Sequence, residues 1–150
     1  MTYKEFTEKR QEQVNALPLH YAFGQKQIDE ELAKMGCTID DVVGIGGCGA
    51  FCKKEDLPTI KEFFKSDGGL SELMKDETFA VDAFHYEMAN HEYCFDHYEG
   101  DYNVCSLFVQ CKYDEMKTFI EYLTEAGATH LIPFFEKARK AYLKEAEAYT

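Results

Sequence analysis

Four glycines fall within six residues in the run Gly44-Ile45-Gly46-Gly47-Cys48-Gly49. A helix cannot pass through such a stretch, because each interior glycine costs about 1 kcal/mol relative to alanine. The chain must turn there. The run from Val43 to Cys52 reads as a short hairpin or irregular strand pair, turning at Gly46-Gly47.

The rest of the chain carries helical spacing. A capping box of Thr2 and Glu5 opens a first helix that packs only at its ends, through Tyr3, Phe6, Val14 and Leu17, and stops at Pro18. Leu17 to Phe23 is a compact apolar link expected to be buried. Ile28, Leu32 and Met35 form the stripe of a second helix from Gln25 to Met35, with Gly36 just past its end. Thr38 to Val42 reads as one capped turn. Asp56 is read as the cap of a third helix, Leu57 to Lys65, with Pro58 in its first turn and Ile60, Phe63 and Phe64 inward.

Beyond Gly68-Gly69 comes a short helix from Leu70 to about Lys75. A longer one, Glu77 to about Glu92, buries Phe79, Ala83, Phe84 and Met88. Tyr93 to Asp101 reads as a polar, aromatic loop. Tyr102 to Cys111 fits a helix capped by Asp101, with a strand as the alternative. Asp114 to Ala126 reads as a helix with Met116, Phe119, Ile120 and Leu123 inward and Gly127 at its end. Thr129 caps a last helix through Phe134, Phe135, Ala138 and Tyr142, with Lys144 to Thr150 frayed. The fold class is therefore mostly α: a single-domain helical bundle over residues 1–150 with one short Gly-rich hairpin or irregular β element. No internal repeat or low-complexity segment interrupts it.

Composition narrows the function classes. The 12 Phe and 10 Tyr supply a core and argue against disorder. A net charge of −12 repels phosphate backbones and anionic lipid, so neither nucleic acid nor membrane is an expected partner. It would favour a basic protein surface instead. The polar opening Met1-Thr2-Tyr3-Lys4-Glu5-Phe6 has no signal-peptide character, and the longest apolar runs, such as Leu107-Phe108-Val109, are far too short to span a bilayer. The expected location is the cytoplasm, where Cys37, Cys48, Cys52, Cys94, Cys105 and Cys111 would be free thiols.

Four constellations invite a chemical reading. Gly44-Ile45-Gly46-Gly47-Cys48-Gly49 matches G-x-G-x-x-G, but a dinucleotide site needs a helix to open at the glycines, and the next helix starts only near Asp56. No cofactor is expected. Cys48 and Cys52, with His91 and Cys94, have spacings that a tetrahedral zinc site permits but does not require. Glu87, His91 and Cys94 stand at i, i+4 and i+7, one helix face if the helix extends that far, and could form a metal site or a Cys–His nucleophile pair. The bland alternative is a solvated i,i+4 pair. His20, His85, His97 and His130 have no partner at a telling spacing. Tyr86, Tyr93, Phe95, Tyr98 and Tyr102 gather around one acidic loop, which suits either a protein-binding patch or core plugging from the edge.

The segment Phe84-His85-Tyr86-Glu87-Met88-Ala89-Asn90-His91-Glu92-Tyr93-Cys94 resembles a signature, Tyr-Glu-Leu-Ala-Asn-His-Glu-Tyr, of small uncharacterised proteins from Gram-positive bacteria and their phages. Leu17 to Phe23 and Gly46 to Asp56 are similar to two further segments of that family. The likeness covers about the first two-thirds of the chain. The family pattern has glycine and an aliphatic residue where this chain has Cys48 and Cys52, which counts against zinc there. The resemblance implies a bacterial or mobile-element origin and no activity, and it directs attention to Asn90, His91 and Glu92.

Two functional expectations follow. One is an accessory or regulatory protein-binding module whose partner is a host protein with a basic surface, with Tyr93, Phe95, Tyr98 and Tyr102 as contact residues. The alternative is a metal-dependent or thiol enzyme centred on Glu87, Asn90, His91, Glu92 and Cys94.

Overall fold

The computed structural model describes residues 1–47, 49–93 and 97–148, with only the backbone of His97 and Tyr98. Two compact units emerge: a larger one of Met1–Glu8 and Gly68–Thr150, and a smaller one of Lys9–Asp67. The fold is mostly α with one small sheet. No described helix is long and apolar enough to cross a membrane.

Helix α1 (Tyr3–Asn15) opens at the expected capping box. The Glu5 N–H donates to Thr2 Oγ1 at 3.1 Å, and the Thr2 N–H donates to Glu5 Oε2 at 3.3 Å. The smaller unit then adds strand β1 (His20–Tyr21), helix α2 (Gln25–Met35), strands β2 (Val42–Ile45) and β3 (Ala50–Lys53), and helix α3 (Leu57–Lys65). The hairpin at the glycines exists, and β1, which the sequence does not signal, pairs with the far side of β3. The sheet is antiparallel in the order β1-β3-β2, with His20 opposite Phe51 and Val43 opposite Cys52. Leu32 of α2 packs with Ala22 and Phe51, and Ile28 and Met35 flank them.

Gly49 has to be glycine. Its φ is +79°, and a Cβ would stand 2.8 Å from the Ala22 carbonyl and 2.9 Å from the Phe23 ring. The link expected to be buried is mixed, since Ala22 is buried but Tyr21 and Phe23 are exposed. Asp56 is not a side-chain cap for α3, because it closes a 3₁₀ turn, Lys54–Asp56, with helical backbone angles. Only Ile60 of the three expected inward residues is buried; Phe63 is half-buried and Phe64 exposed. Arg10 instead covers the Phe63 ring at 3.9 Å and donates to the Phe63 and Ser66 carbonyls, tying down the end of α3.

The larger unit holds α4 (Leu70–Leu73), α5 (Glu77–Asn90), α6 (His97–Cys105), α7 (Phe119–Glu125) and α8 (Ile132–Glu147). Its most extensive interface joins α5 and α8. Ala80, Ala83, Phe84 and Met88 of α5, and Phe135 and Ala138 of α8, are fully buried. Phe84 meets Phe135 edge-on at 5.0 Å, and Phe119 stacks on Phe135 at 4.4 Å. Each such ring contributes about 1.5–3 kcal/mol by leaving water. Tyr3 and Phe6 close one end against Phe79.

Several boundaries differ from the sequence reading. Helix α6 runs His97–Cys105, so it stops short of the expected end at Cys111, and Asp101 lies inside it, buried, and is not a cap. Helix α7 starts only at Phe119, where Thr118 and Glu121 form the capping box; Met116 and Ile120 are consequently exposed. A 3₁₀ turn, Thr129–Leu131, precedes α8, which stays helical to Glu147 where fraying was expected.

Candidate functional site

Residues 84–93 carry the end of α5, and backbone bonding explains how the helix stops. The Tyr93 N–H donates to the Met88 carbonyl at 3.0 Å, and the Glu92 N–H to the Ala89 carbonyl at 3.4 Å. This pair of bonds is a Schellman motif, whose turning residue must be left-handed. Glu92 occupies that position with φ 50°, the only described non-glycine residue with positive φ. A side chain held there costs about 1 kcal/mol relative to glycine. Because α5 stops at Asn90, it does not carry a face on to i+7, so the expected alignment of Glu87, His91 and Cys94 along one helix is not provided. Cys94 itself, like Phe95 and the Tyr98 side chain, lies outside the described residues.

Glu87 is a buried carboxylate, 8% exposed, at the centre of a small cluster. Asn90 Nδ2 donates to its Oε1 at 3.4 Å, and His91 Nε2 stands 3.5 Å from its Oε2. The Tyr3 hydroxyl, reaching in from α1, is the group whose electrostatics Glu87 shifts most clearly. Burial, and then the Glu87 charge and hydrogen bond, hold the Tyr3 hydroxyl far above the ordinary tyrosine range. The structure thus brings together Glu87, Asn90 and His91, while Glu92 turns outward and is exposed. His91 is partly open to solvent, with its imidazole oriented by a carboxylate. That arrangement can exchange a proton with a bound molecule. Tyr3, supplied by α1, is the member the sequence reading missed; no local spacing links it to residue 87.

Of the two expectations for Tyr93, contact residue or core plug, burial gives the second. It is fully buried, donates its hydroxyl hydrogen bond to Asp101 Oδ1, and accepts one from Arg139 Nε at 3.1 Å. The other Asp101 oxygen accepts the Phe119 N–H, the first amide of α7, at 3.0 Å. Gly100 lies flat under the ring, where a Cβ would come within 2.7 Å of Tyr93 Cδ2. Burial and the Asp101 carboxylate push the Tyr93 hydroxyl up. Tyr102 is half-buried, edge-on to Tyr113 at 5.3 Å and tilted on Tyr122 at 5.9 Å.

Two of the other histidines, His20 and His85, find partners away from their own turn of chain. His20 Nδ1 lies 3.0 Å from Glu31, and His85 Nε2 lies 2.8 Å from Glu145. Cys37, Cys52, Cys105 and Cys111 are free thiols, and burial pushes the last three up, making them poor nucleophiles. Of the four residues weighed for zinc, Cys48 and Cys94 lie outside the described residues. Among those described, no group of three or more His, Cys, Asp or Glu side chains is arranged to hold a metal ion.

No curated protein and no solved structure matches the chain. A sequence profile does match residues 2–125, more than half the chain, and so this protein belongs to that family, described as a family of unknown function, DUF7659.

Proposed function

We propose that the chain is an accessory or regulatory protein-binding module that works in the cytoplasm of a bacterial or mobile-element setting and engages a host protein through a basic surface on that partner. The observation that carries this reading is where the charge sits. Of the net −12, Lys9–Asp67 accounts for −2, from eight basic and ten acidic side chains; the larger unit carries the other −10. A surface so unbalanced steers and retains a cationic partner, in a salt-dependent way. With Tyr93 buried, the contact role in this reading passes from the aromatic loop to the acidic exterior, with Tyr102 and Tyr113 at its margin.

The test is retention of proteins from a bacterial lysate on the immobilised chain at about 50 mM salt and again at about 500 mM, which shortens the screening length several-fold. A variant with the exposed Glu99, Glu115 and Glu136 changed to glutamine runs in parallel. The expected result is a discrete partner lost at high salt and weakened by the triple change. A lysate that yields no protein above a mock column, or one whose retention ignores both salt and charge, refutes the reading.

The buried Glu87 beside a half-open His91 supports a second reading, an acid–base or metal-dependent enzyme. Stoichiometric transition metal in the purified protein, lost in His91→Ala, would raise it above the first; a phenotype and metal content indifferent to His91→Ala would remove it.

A further inference from the structure

A groove of about 720 Å³ runs between β2 and α3 in the smaller unit. Val43 and Ile45 supply one wall, Leu57, Ile60 and Phe64 the other. Among the described residues, Lys61 and Lys65 are the charged side chains that line it. In a chain of net charge −12, an apolar cleft whose charged lining residues are two lysines is a local exception. Lys65 shares an exposed ion pair with Glu62 at 3.5 Å, a contact worth little in water and readily exchanged.

The same groove follows an open sheet edge. β2 is the outermost strand, paired on one side only with β3. The hydrogen-bond alternation can be followed from the far side of the sheet. The Ala22 N–H donates to the Gly49 carbonyl at 3.0 Å. In an antiparallel ladder, alternate residues bond to the same neighbour, so Gly49 and Phe51 turn toward β1, while Ala50 and Cys52 turn toward β2. Their register partners are Ile45 and Val43. Gly44 between these two therefore directs its N–H and carbonyl away from the sheet. It is exposed, and a Cβ on it would meet nothing within 4 Å.

We propose that this edge and groove together take an extended peptide that adds as a strand beside β2 through Gly44, seats aliphatic side chains between β2 and α3, and presents acidic residues to Lys61 and Lys65. Edge-strand addition supplies affinity through main-chain bonds and specificity through alternating pockets. A free fatty carboxylate could match the apolar walls and the lysines, but it has nothing to pair with the Gly44 backbone. This site is distinct from the acidic exterior invoked above and selects the opposite charge.

The test uses octapeptide pools in which randomised aliphatic positions alternate with glutamate, and matched pools with lysine in place of glutamate, selected on the full chain and measured by fluorescence anisotropy. The selected glutamate peptide is expected to bind at least tenfold tighter than its lysine counterpart, and to lose at least tenfold in Lys61→Glu/Lys65→Glu. Gly44→Pro deletes the outward N–H at an edge position where proline is tolerated, so it should abolish peptide binding while circular dichroism stays native. Dodecanoate is the control ligand. The proposal is overturned if neither pool yields a binder, if the lysine pool binds as well, if Gly44→Pro binds the peptide like the parent, or if dodecanoate competes with the peptide and proves the tighter ligand.

Discussion

Asp101→Asn isolates what the buried network in the larger unit contributes. The substitution conserves volume and shape, so packing around Gly100 and Tyr93 is untouched. It changes only the charge and the hydrogen-bond inventory. A carboxylate accepts at both oxygens, here from the Tyr93 hydroxyl and the Phe119 N–H. An amide accepts at one and donates at the other, so with its oxygen kept on the Phe119 N–H its amide N–H meets the Tyr93 oxygen, which already accepts from Arg139, and the Tyr93 hydroxyl hydrogen loses its carboxylate acceptor. A bond to a buried charge is worth about 1.5–3 kcal/mol, and the favourable charge at the start of α7 is lost with it. The expected destabilisation is about 3 kcal/mol. With a urea slope of about 1–3 kcal/mol per molar, the midpoint of unfolding should fall by at least about 1 M. Amide exchange at Phe119 should accelerate in step. Tyr93→Phe removes the same bond from the other side, so the double variant should cost about 1–2 kcal/mol less than the two singles added. An Asn variant within about 0.5 kcal/mol of the parent, or strict additivity with Tyr93→Phe, would refute the reasoning.

Three further outcomes are expected. Glu92→Gly relieves a left-handed side chain at the end of α5 and should stabilise the protein by about 1 kcal/mol in urea unfolding, against the usual direction of glycine substitutions. Tyr3 and Tyr93 are held protonated above the ordinary tyrosine value; a group raised on folding stabilises fully below its unfolded pKa, so stability should be flat to about pH 10 and decline above it, with tyrosinate absorbance for these two appearing only as helicity is lost. In a Cys48→Ser/Cys94→Ser background, a thiol-disulfide reagent should modify the half-exposed Cys37 first, Cys111 more slowly, and Cys52 and Cys105 only on unfolding, as followed by mass spectrometry of the labelled peptides.

What the sequence made legible was local. The Thr2–Glu5 box, the Gly36 and Gly127 helix ends, the stripe of α2 and the turn at Gly46-Gly47 each depend on residues within a few positions of one another, and all appear in the structure. The misplacements share a different cause. Tyr93 through Asp101 has loop-like composition, yet Tyr93 is buried because Asp101 and Arg139, 8 and 46 residues away, satisfy its hydroxyl. His85 looked partnerless because Glu145 is 60 residues distant. A two-residue strand such as β1 is too short for any period to register. The start of α7 was readable, since Thr118 and Glu121 have capping-box spacing, but the helical spacing of Met116 with Phe119, Ile120 and Leu123 drew the start back to Asp114. At the candidate site, the Glu87–His91 spacing was legible, whereas the Tyr3 hydroxyl and the left-handed Glu92 are products of tertiary packing and of the helix end.

The family profile stops at residue 125, and α8 begins at Ile132. The most conspicuous packing partner of α5 is therefore outside the stretch by which the family is recognised. A fragment trimmed to residues 2–125 would lose Phe135, which contacts Phe84, Phe119 and Tyr93, and would lose Arg139 from the Tyr93 hydroxyl. Such a fragment would present an oily, aromatic scar along α5 and fail by clumping. Anyone choosing where to cut this chain for expression should follow the last helix rather than the end of the family match.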